Sequence, residues 1–195
     1  MTAPFRSRRR SAARRILLAV LLAICLHTIP CASAQDRPHP TEYQIKAQYL
    51  TDFGRFVKKW GNRPAPGPDE SFAICVLGQD PYGQSLDTAV HGENIGGSPL
   101  VVRRIAQPID ATGCRILFIS SSESGQLQDI FGVIGTAPVL TVSDIPDFVR
   151  RGGIIEFVPD GNRVKFEINL ALAQRVGLSL SSDLLKVARV VRRTP

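Results

Sequence analysis

Hydrophobic and polar residues alternate along residues 164–170, near the C-terminal end of the chain. The apolar positions are Val164, Phe166, Ile168 and Leu170, and the polar positions between them are Lys165, Glu167 and Asn169. This two-residue period predicts a half-buried β-strand that points Glu167 outward. A second apolar run, residues 152–158, comes earlier, and the turn residues Asp160-Gly161-Asn162 separate the two runs. The pattern therefore predicts an antiparallel β-hairpin.

Two short helices should follow this hairpin. Residues 170–176 have a helical composition and stop at Gly177, a residue type that is common just after helices. Ser181 or Ser182 should cap a final helix, whose apolar positions extend to Val191.

Further apolar runs upstream alternate with segments of helical composition. The runs predict strands at residues 72–77, 100–105, 115–120 and 137–143. The predicted helices between and after them cover residues 81–90, 122–134 and 145–150. This alternation predicts an α/β fold, a single domain with a mostly parallel sheet, flanking helices and the C-terminal antiparallel hairpin.

An aromatic stripe runs through residues 43–60, which are predicted to form one amphipathic helix. Phe53, Phe56 and Trp60 lie on this stripe at helical spacing. Two interpretations fit the stripe. It can pack into the core, or part of it can stay exposed as a ridge that docks a partner.

Residues 1–34 are predicted to be a cleaved secretion signal. Arginines precede an apolar stretch at 16–26, and residues 32–34, Ala-Ser-Ala, form a small-x-small cleavage site. A membrane anchor is the alternative, but the stretch is well short of the roughly 20 apolar residues that a bilayer requires. No membrane span should remain after processing. Residues 35–41 then form a flexible leader, and residues 42–195 form the α/β domain.

Removal of this signal changes the charge of the protein. Six of the 24 Lys and Arg residues and none of the 17 acidic residues lie in residues 1–34, so 18 basic residues remain against 17 acidic ones. Nucleic-acid binding requires a basic surface that survives processing. The nearly neutral remainder therefore argues against nucleic acid as a partner.

The four cysteines fall into two groups. Cys25 and Cys31 lie in the predicted signal, where Ile24 and Pro30 do not fit a lipoprotein cleavage site. Cys75 and Cys114 remain in the domain. Two cysteines in an oxidising compartment can form one intramolecular bridge, and the alternative is two buried free thiols.

Small polar residues follow the predicted parallel strands, at the edge where α/β sheets bind ligands. The candidates are Asp80, Ser121, Ser143 and Asp144. Free backbone N–H groups at helix starts can hold a small anion or a nucleotide. The alternative is ordinary helix capping, for which Asp80 before Pro81 and Asp144 have the required pattern. The sequence indicates neither a metal site nor a cofactor motif.

The sequence contains no pattern typical of a hydrolase. The Gly-x-Ser-x-Gly motif is absent, and His39 and His91 fall in predicted loops, where neither is well placed as a general base. We therefore expect a protein that is not an enzyme.

Several segments, in their order and spacing, resemble the YfiR-like family. The C-terminal signature is Gly161-Asn-Arg-Val-Lys-Phe-Glu-Ile-Asn169 followed by Gly177-Leu-Ser-Leu-Ser-Ser-Asp-Leu-Leu185. The upstream segments are Tyr43-Gln-Ile-Lys-Ala-Gln-Tyr-Leu50, Ile74-Cys-Val-Leu-Gly-Gln-Asp-Pro-Tyr-Gly83, Cys114-Arg-Ile-Leu-Phe-Ile-Ser120 and Val139-Leu-Thr-Val-Ser-Asp144. The resemblance covers about residues 42–191.

The resemblance implies a periplasmic repressor, often a homodimer. Such a protein binds the periplasmic sensor part of an inner-membrane diguanylate cyclase and lowers cyclic-di-GMP synthesis until an outer-membrane lipoprotein or an envelope signal removes it. The alternative from a different class is a periplasmic protein that binds or senses a small ligand, a nucleotide or an amino acid.

The resemblance also assigns roles to individual residues. Cys75 and Cys114 match the long-range bridge of the family, and Glu167 matches a charged position linked to contact with the cyclase. Residues 149–158 contain no cysteine, so the second bridge of some members is missing. Beyond what the resemblance assigns, we expect the first helix and the hairpin to supply the partner contacts, which are Phe53, Phe56, Trp60, Ile155, Phe157 and Glu167.

Overall fold

A central eight-stranded sheet organises the part of the chain that the computed structural model describes, which is residues 40–64, 70–161 and 163–193. The predicted secretion signal and nearly all of the predicted leader lie outside the described residues. Within the described ranges, no helix has the length and apolarity needed to cross a membrane.

The regular elements are named here in chain order. The helices are α1 (Glu42–Phe56), α2 (Gln84–Val90), α3 (Leu127–Ile134), α4 (Leu170–Arg175) and α5 (Ser182–Val187). The first strands are β1 (Val57–Trp60), β2 (Phe72–Leu77), β3 (Asn94–Ile95), β4 (Ser98–Ile105) and β5 (Ile116–Ile119). The later strands are β6 (Leu140–Ser143), β7 (Ile155–Asp160), β8 (Arg163–Asn169), β9 (Leu178–Leu180) and β10 (Val190–Arg192). Two 3-10 turns cover Pro108–Gly113 and Ser121–Glu123.

The strand order in the large sheet is β10-β8-β7-β6-β5-β2-β4-β3. The neighbours from β4 through β2, β5 and β6 to β7 run parallel, whereas β7 and β8 form an antiparallel hairpin. The predicted α/β fold with a mostly parallel sheet and a C-terminal hairpin is therefore confirmed.

Two apolar cores lie on opposite faces of the sheet. The larger core contains α1 side chains such as Leu50 and Phe53 together with alternate residues of the strands, among them Ile74 and Phe118. The smaller core contains the other face of the same strands, including Cys75, under α3. Every residue of β2, β5 and β6 is buried, as expected for strands that are covered on both faces.

The first helix is shorter than its aromatic stripe suggested. It begins at a capping box, in which Thr41 and Gln44 bond each other's backbone N–H groups, and it ends at Phe56. The next four residues form β1, which pairs antiparallel with β9. The prediction of one helix to residue 60 is wrong there, because a strand from the far end of the chain supplies hydrogen bonds that no local pattern reveals.

Three predicted helix starts are also wrong. Helix α3 begins at Leu127 instead of at residue 122, after the 3-10 turn Ser121–Glu123. Helix α2 begins after Gly83 instead of after Asp80, and its N-cap makes no side-chain hydrogen bond. Residues 145–150, predicted to be a helix after Asp144, form hydrogen-bonded turns instead. Asp147 in these turns has a backbone φ of 60°, a value that residues other than glycine rarely adopt.

The chain ends differently from the prediction as well. Ser181 caps α5 through its side chain, as predicted, but α5 ends at Val187. The following strand β10 lies parallel to β8 at the edge of the sheet. The apolar residues after 187 therefore continue the sheet and not the helix.

Candidate functional site

Ser143 is the last residue of β6 and Asp144 follows it at the carboxyl edge of the sheet, where we predicted a ligand. The Ser143 Oγ donates to the carbonyl of Ile119 (2.7 Å) and accepts from the N–H of Ile145 (3.0 Å), and the residue is fully buried. Its hydroxyl is thus used to hold the turn after the strand, which is the capping alternative rather than the ligand interpretation.

Asp144 is used to attach α1 to the sheet. One carboxylate oxygen accepts from Lys46 Nζ at 2.8 Å and from the Tyr43 hydroxyl at 3.1 Å. Lys46 is only 4 % exposed and also contacts Glu42 at 2.6 Å. Burial lowers the pKa of Lys46, but its hydrogen bonds to Asp144 and Glu42 outweigh that effect and leave the pKa raised. The lysine therefore stays charged, with its charge neutralised inside the protein.

Asp80 and Ser121 belong to the loops that follow β2 and β5. Asp80 accepts from the backbone N–H of Tyr82 (2.8 Å) and pairs with Arg104 (2.8 Å), whose guanidinium also binds Asp87. Ser121 is exposed in the turn after β5. The four predicted ligand residues thus follow neighbouring strands, yet none of them lines either of the two clefts of the described chain reported below.

Four of the six expected partner contacts are in the core. Phe53 is 1 % exposed, Trp60 is 7 % exposed, and Ile155 and Phe157 are 0 % and 3 % exposed. Buried side chains cannot touch a partner in this conformation, so these four assignments need correction. The aromatic stripe packs onto the sheet, which is the core interpretation of the pattern.

The packing of α1 on the hairpin explains this burial. The Phe53 ring stacks on Phe157 with 5.8 Å between centroids and meets Phe166 edge-on at 5.2 Å. Tyr49 completes the cluster from the same helix, 5.5 Å from Phe166. Aromatic pairs at such distances add to the energy gained by burial, so this cluster fixes the helix to β7 and β8.

Glu167 and Phe56 remain partly accessible, but they lie on different sides of the hairpin. Phe56 of α1 packs against the larger core. Phe166 of β8 belongs to the same core, so it points toward α1. Glu167 is the next residue along β8, so its side chain points to the opposite face. There it pairs with Arg192 of β10 at 3.5 Å and stands opposite Glu156 of β7. The two residues cannot belong to one small contact patch.

A cleft that sequence analysis missed lies between α3, α4 and the start of β7. It encloses about 240 Å³. Its apolar lining includes Phe131, Ile154 and Leu172, and its charged lining consists of Arg151 and Arg175, without a carboxylate. Arg151 is anchored to the carbonyl of Ser124. The lining comes from three distant segments, and no motif in any of them signals a site.

A second, more open cleft adjoins the first and shares Arg175 with it. It is lined by Gly61, Asn62 and Arg63 from the turn after β1 and by Pro138 before β6. Arg63 is not free there, because its guanidinium donates to the carbonyls of Thr112, Gly113 and Cys114. Among the residues in view, no group of three or more His, Cys, Asp or Glu is placed to hold a metal ion.

Cys75 and Cys114 form a disulfide, which confirms the predicted bridge. The Cα atoms are 5.9 Å apart, within the usual range for disulfides. Both residues are buried in the smaller core, and the bridge ties the middle of β2 to the residue two positions before β5. It therefore links two adjacent strands and closes a segment of 39 residues.

The fold and these sites define a small α/β protein with a mostly parallel sheet and no evident catalytic group among the described residues. Residues 43–189 match the YfiR/HmsC-like family, and the chain belongs to that family. This match confirms the resemblance that the sequence motifs indicated. Members of the family are periplasmic regulators of diguanylate cyclase signalling.

Two solved structures have a similar fold. One is the ABC domain in complex with L-Trp from Streptococcus pneumonia, with a TM-score of 0.52, 12 % identity and 74 % of this chain covered. The other is a conserved domain protein from Vibrio cholerae O1 biovar eltor, with a TM-score of 0.53, 12 % identity and 78 % covered. This chain spans about 60 % of the length of each of them. At such identity the likeness shows the fold alone.

Proposed function

We propose that this protein is a periplasmic, non-enzymatic repressor that binds the periplasmic sensor part of an inner-membrane diguanylate cyclase. The observation that carries the proposal is the family match over residues 43–189. Binding lowers cyclic-di-GMP synthesis until an outer-membrane lipoprotein or an envelope signal removes the repressor. The active form is a monomer or a homodimer.

We assign the contact with the cyclase to the face of the hairpin that carries Glu167. That face bears alternating charged residues of β8, and Lys165 and Glu167 are both partly accessible there. The opposite face of the hairpin is occupied by α1, so it is closed to a partner.

Repression of this kind needs only a preference between two states of the partner. A repressor that binds the inactive sensor more tightly than the active one by about 1.4 kcal/mol shifts that equilibrium tenfold. No chemical step is required of the protein.

The test of the contact is a charge reversal at Glu167. We expect Glu167→Lys to fold normally and to release the cyclase, which raises cyclic-di-GMP in cells that produce the full-length chain. Asp129→Lys is the control, because Asp129 is an exposed carboxylate that belongs to α3 and not to the hairpin. Wild-type cyclic-di-GMP with Glu167→Lys would show that this face does not make the contact.

The test of the partner is separate. The tagged protein should capture a membrane-bound cyclase from envelope extracts, in a complex that both the wild type and Asp129→Lys form. Failure of both proteins to capture a cyclase would reject the repressor function itself.

A second candidate function, binding of a small ligand, is favoured by the cleft that holds Arg151 and Arg175. Two guanidinium groups beside an apolar floor suit a small anion with an apolar body, such as a nucleotide or an amino acid. A saturating ligand should raise the melting temperature. Arg175→Gln should abolish the increase, whereas Arg189→Gln, outside the cleft, should preserve it.

A further inference from the structure

Two carboxylates oppose each other across the hairpin. Glu156 of β7 is paired in register with Glu167 of β8. Directly opposed residues of an antiparallel pair have Cβ atoms roughly 5 Å apart on the same face, where like charges destabilise the pair. Glu156 is 7 % exposed and the Glu167 side chain 15 % exposed, so water screens this repulsion only weakly.

The surrounding charges do not fully neutralise this pair. Arg192 of β10 reaches Glu167 at 3.5 Å, and its buried Nε finds no hydrogen-bond partner among the described residues. Asp147 adds a third carboxylate from the turn, paired with exposed Arg150 at 3.3 Å. Lys165, two positions along the same face of β8, makes no ion pair within the described chain.

The Glu156 carboxylate also holds the turn of residues 145–151 in place. One oxygen accepts from the N–H of Asp147 (3.0 Å) and the other from the N–H of Val149 (3.1 Å). Asp147 has φ 60, a conformation that needs support when the residue is not glycine. Asn169 supports the same turn by donating to the carbonyl of Val149 (3.0 Å).

We propose that the Glu156 carboxylate, held opposite Glu167, takes up a solvent proton, and that this uptake releases the turn of residues 145–151. The proton binds one of the two Glu156 oxygens, each of which accepts a backbone N–H of the turn. That oxygen then becomes a weaker acceptor for the backbone N–H of Asp147 or Val149. The pair makes the turn an acid sensor, and this inference is independent of the proposed cyclase partner.

The sign of the pH effect separates this device from ordinary acid unfolding. Burial, together with the charges of Glu167 and Asp147, raises the pKa of Glu156 against the lowering effect of its two backbone hydrogen bonds. The folded protein thus takes up the proton at a pH where the unfolded chain is still ionised. The stability contributed by this group is lost as the pH rises through the raised pKa. Because the two backbone hydrogen bonds from the turn lower this pKa, their loss leaves Glu156 with a still higher pKa, so acid favours release of the turn while it stabilises the folded chain against unfolding.

The experiment is hydrogen exchange at the amides of Asp147 and Val149 in the purified protein without any partner. After correction for the intrinsic pH dependence of exchange, protection should fall roughly tenfold as the pH is lowered from 7.5 through the titration of Glu156. The midpoint should lie above the usual value for a glutamate, about 4.3. Unchanged protection over this range would overturn the proposal.

Three variants assign the effect. Glu156→Gln should show low protection that does not depend on pH. Glu167→Gln should keep the transition but move its midpoint to lower pH, because the opposing charge is gone. Asp160→Asn, which removes an exposed carboxylate from the far end of the same hairpin, should keep the wild-type midpoint. If Glu156→Gln does not fold, an unchanged midpoint in Glu167→Gln overturns the proposal by itself.

Discussion

The middle of the sheet and its C-terminal hairpin are built from similar strands but differ in what covers them. Every residue of β2 and β5 is buried, since helices and turns cover both faces. In the hairpin, β8 buries Phe166 and Ile168 on one side and leaves Lys165 and Glu167 partly accessible on the other. The comparison teaches that the middle of the sheet is committed to stability, whereas alternate positions of the hairpin keep partial access to solvent.

The strongest test of this contrast compares neighbours in the middle of the sheet. Leu117 and Phe118 lie on opposite faces of β5, and both side chains are fully buried. Leu117→Ala and Phe118→Ala should therefore each lower the free energy of unfolding by about 3–5 kcal/mol. Urea denaturation at neutral pH measures both. A cost below about 1 kcal/mol for either variant would mean that one face is not a true core.

The disulfide should be the next largest contribution. Replacing Cys75 and Cys114 together by alanine should cost about 3–4 kcal/mol, because the bridge restricts the unfolded chain over 39 residues. Denaturation with and without a reducing agent provides the control. The reductant should destabilise the wild type and leave the double variant unchanged.

The buried lysine tests how α1 is held on the sheet. Lys46→Met should cost about 2–3 kcal/mol, less than for a fully buried pair, because Glu42 is largely exposed. Lys58→Met, at an exposed position of β1, should be nearly neutral.

The pH dependence of this lysine gives a second check. Since the pKa of Lys46 is raised on folding, its contribution is complete below its ordinary pKa and is lost as the pH rises through the raised value. The difference in stability between the wild type and Lys46→Met should therefore shrink in strong alkali. A difference that stays constant would show that Lys46 acts through packing alone.

The smallest effect is expected on the open face of the hairpin. Lys165→Ala should change the free energy of unfolding by no more than about 0.5 kcal/mol. Phe166→Ala, one residue further on the buried face, should cost several times as much. Equal costs at the two positions would remove the distinction between the hairpin and the middle of the sheet.

Much of the fold could be predicted from local sequence, because most of its strands have a recognisable pattern of apolar and polar residues. The run Phe72–Leu77 has the predicted bounds, and the alternation in β8 correctly places Phe166 and Ile168 on the buried face and Glu167 on the other face. Both signals are short-range. A strand that is buried on both faces has a continuous apolar run, and a strand that is buried on one face alternates apolar and polar residues.

The errors fall where distant partners decide the local structure. Val57–Trp60 continues the helical spacing of the aromatic stripe, yet it forms a strand that pairs with β9. Val190–Arg192 was predicted near the end of a helix, but it forms a strand that pairs with β8. The same reason applies to the sites. The aromatic stripe is compatible both with burial in the core and with contact to a partner. Only the packing of Phe53 against the hairpin decides between these two interpretations. The cleft with Arg151 and Arg175 has no local signal at all.

The disulfide has one more consequence, for the response of the chain to proteases. The chain between Cys75 and Cys114 includes the exposed turns around residues 91–97. A single peptide-bond cleavage there would leave two fragments that are still joined through sulfur, each contributing strands to the same sheet. The cut molecule could then keep its shape and its function, and it would fall apart only after reduction.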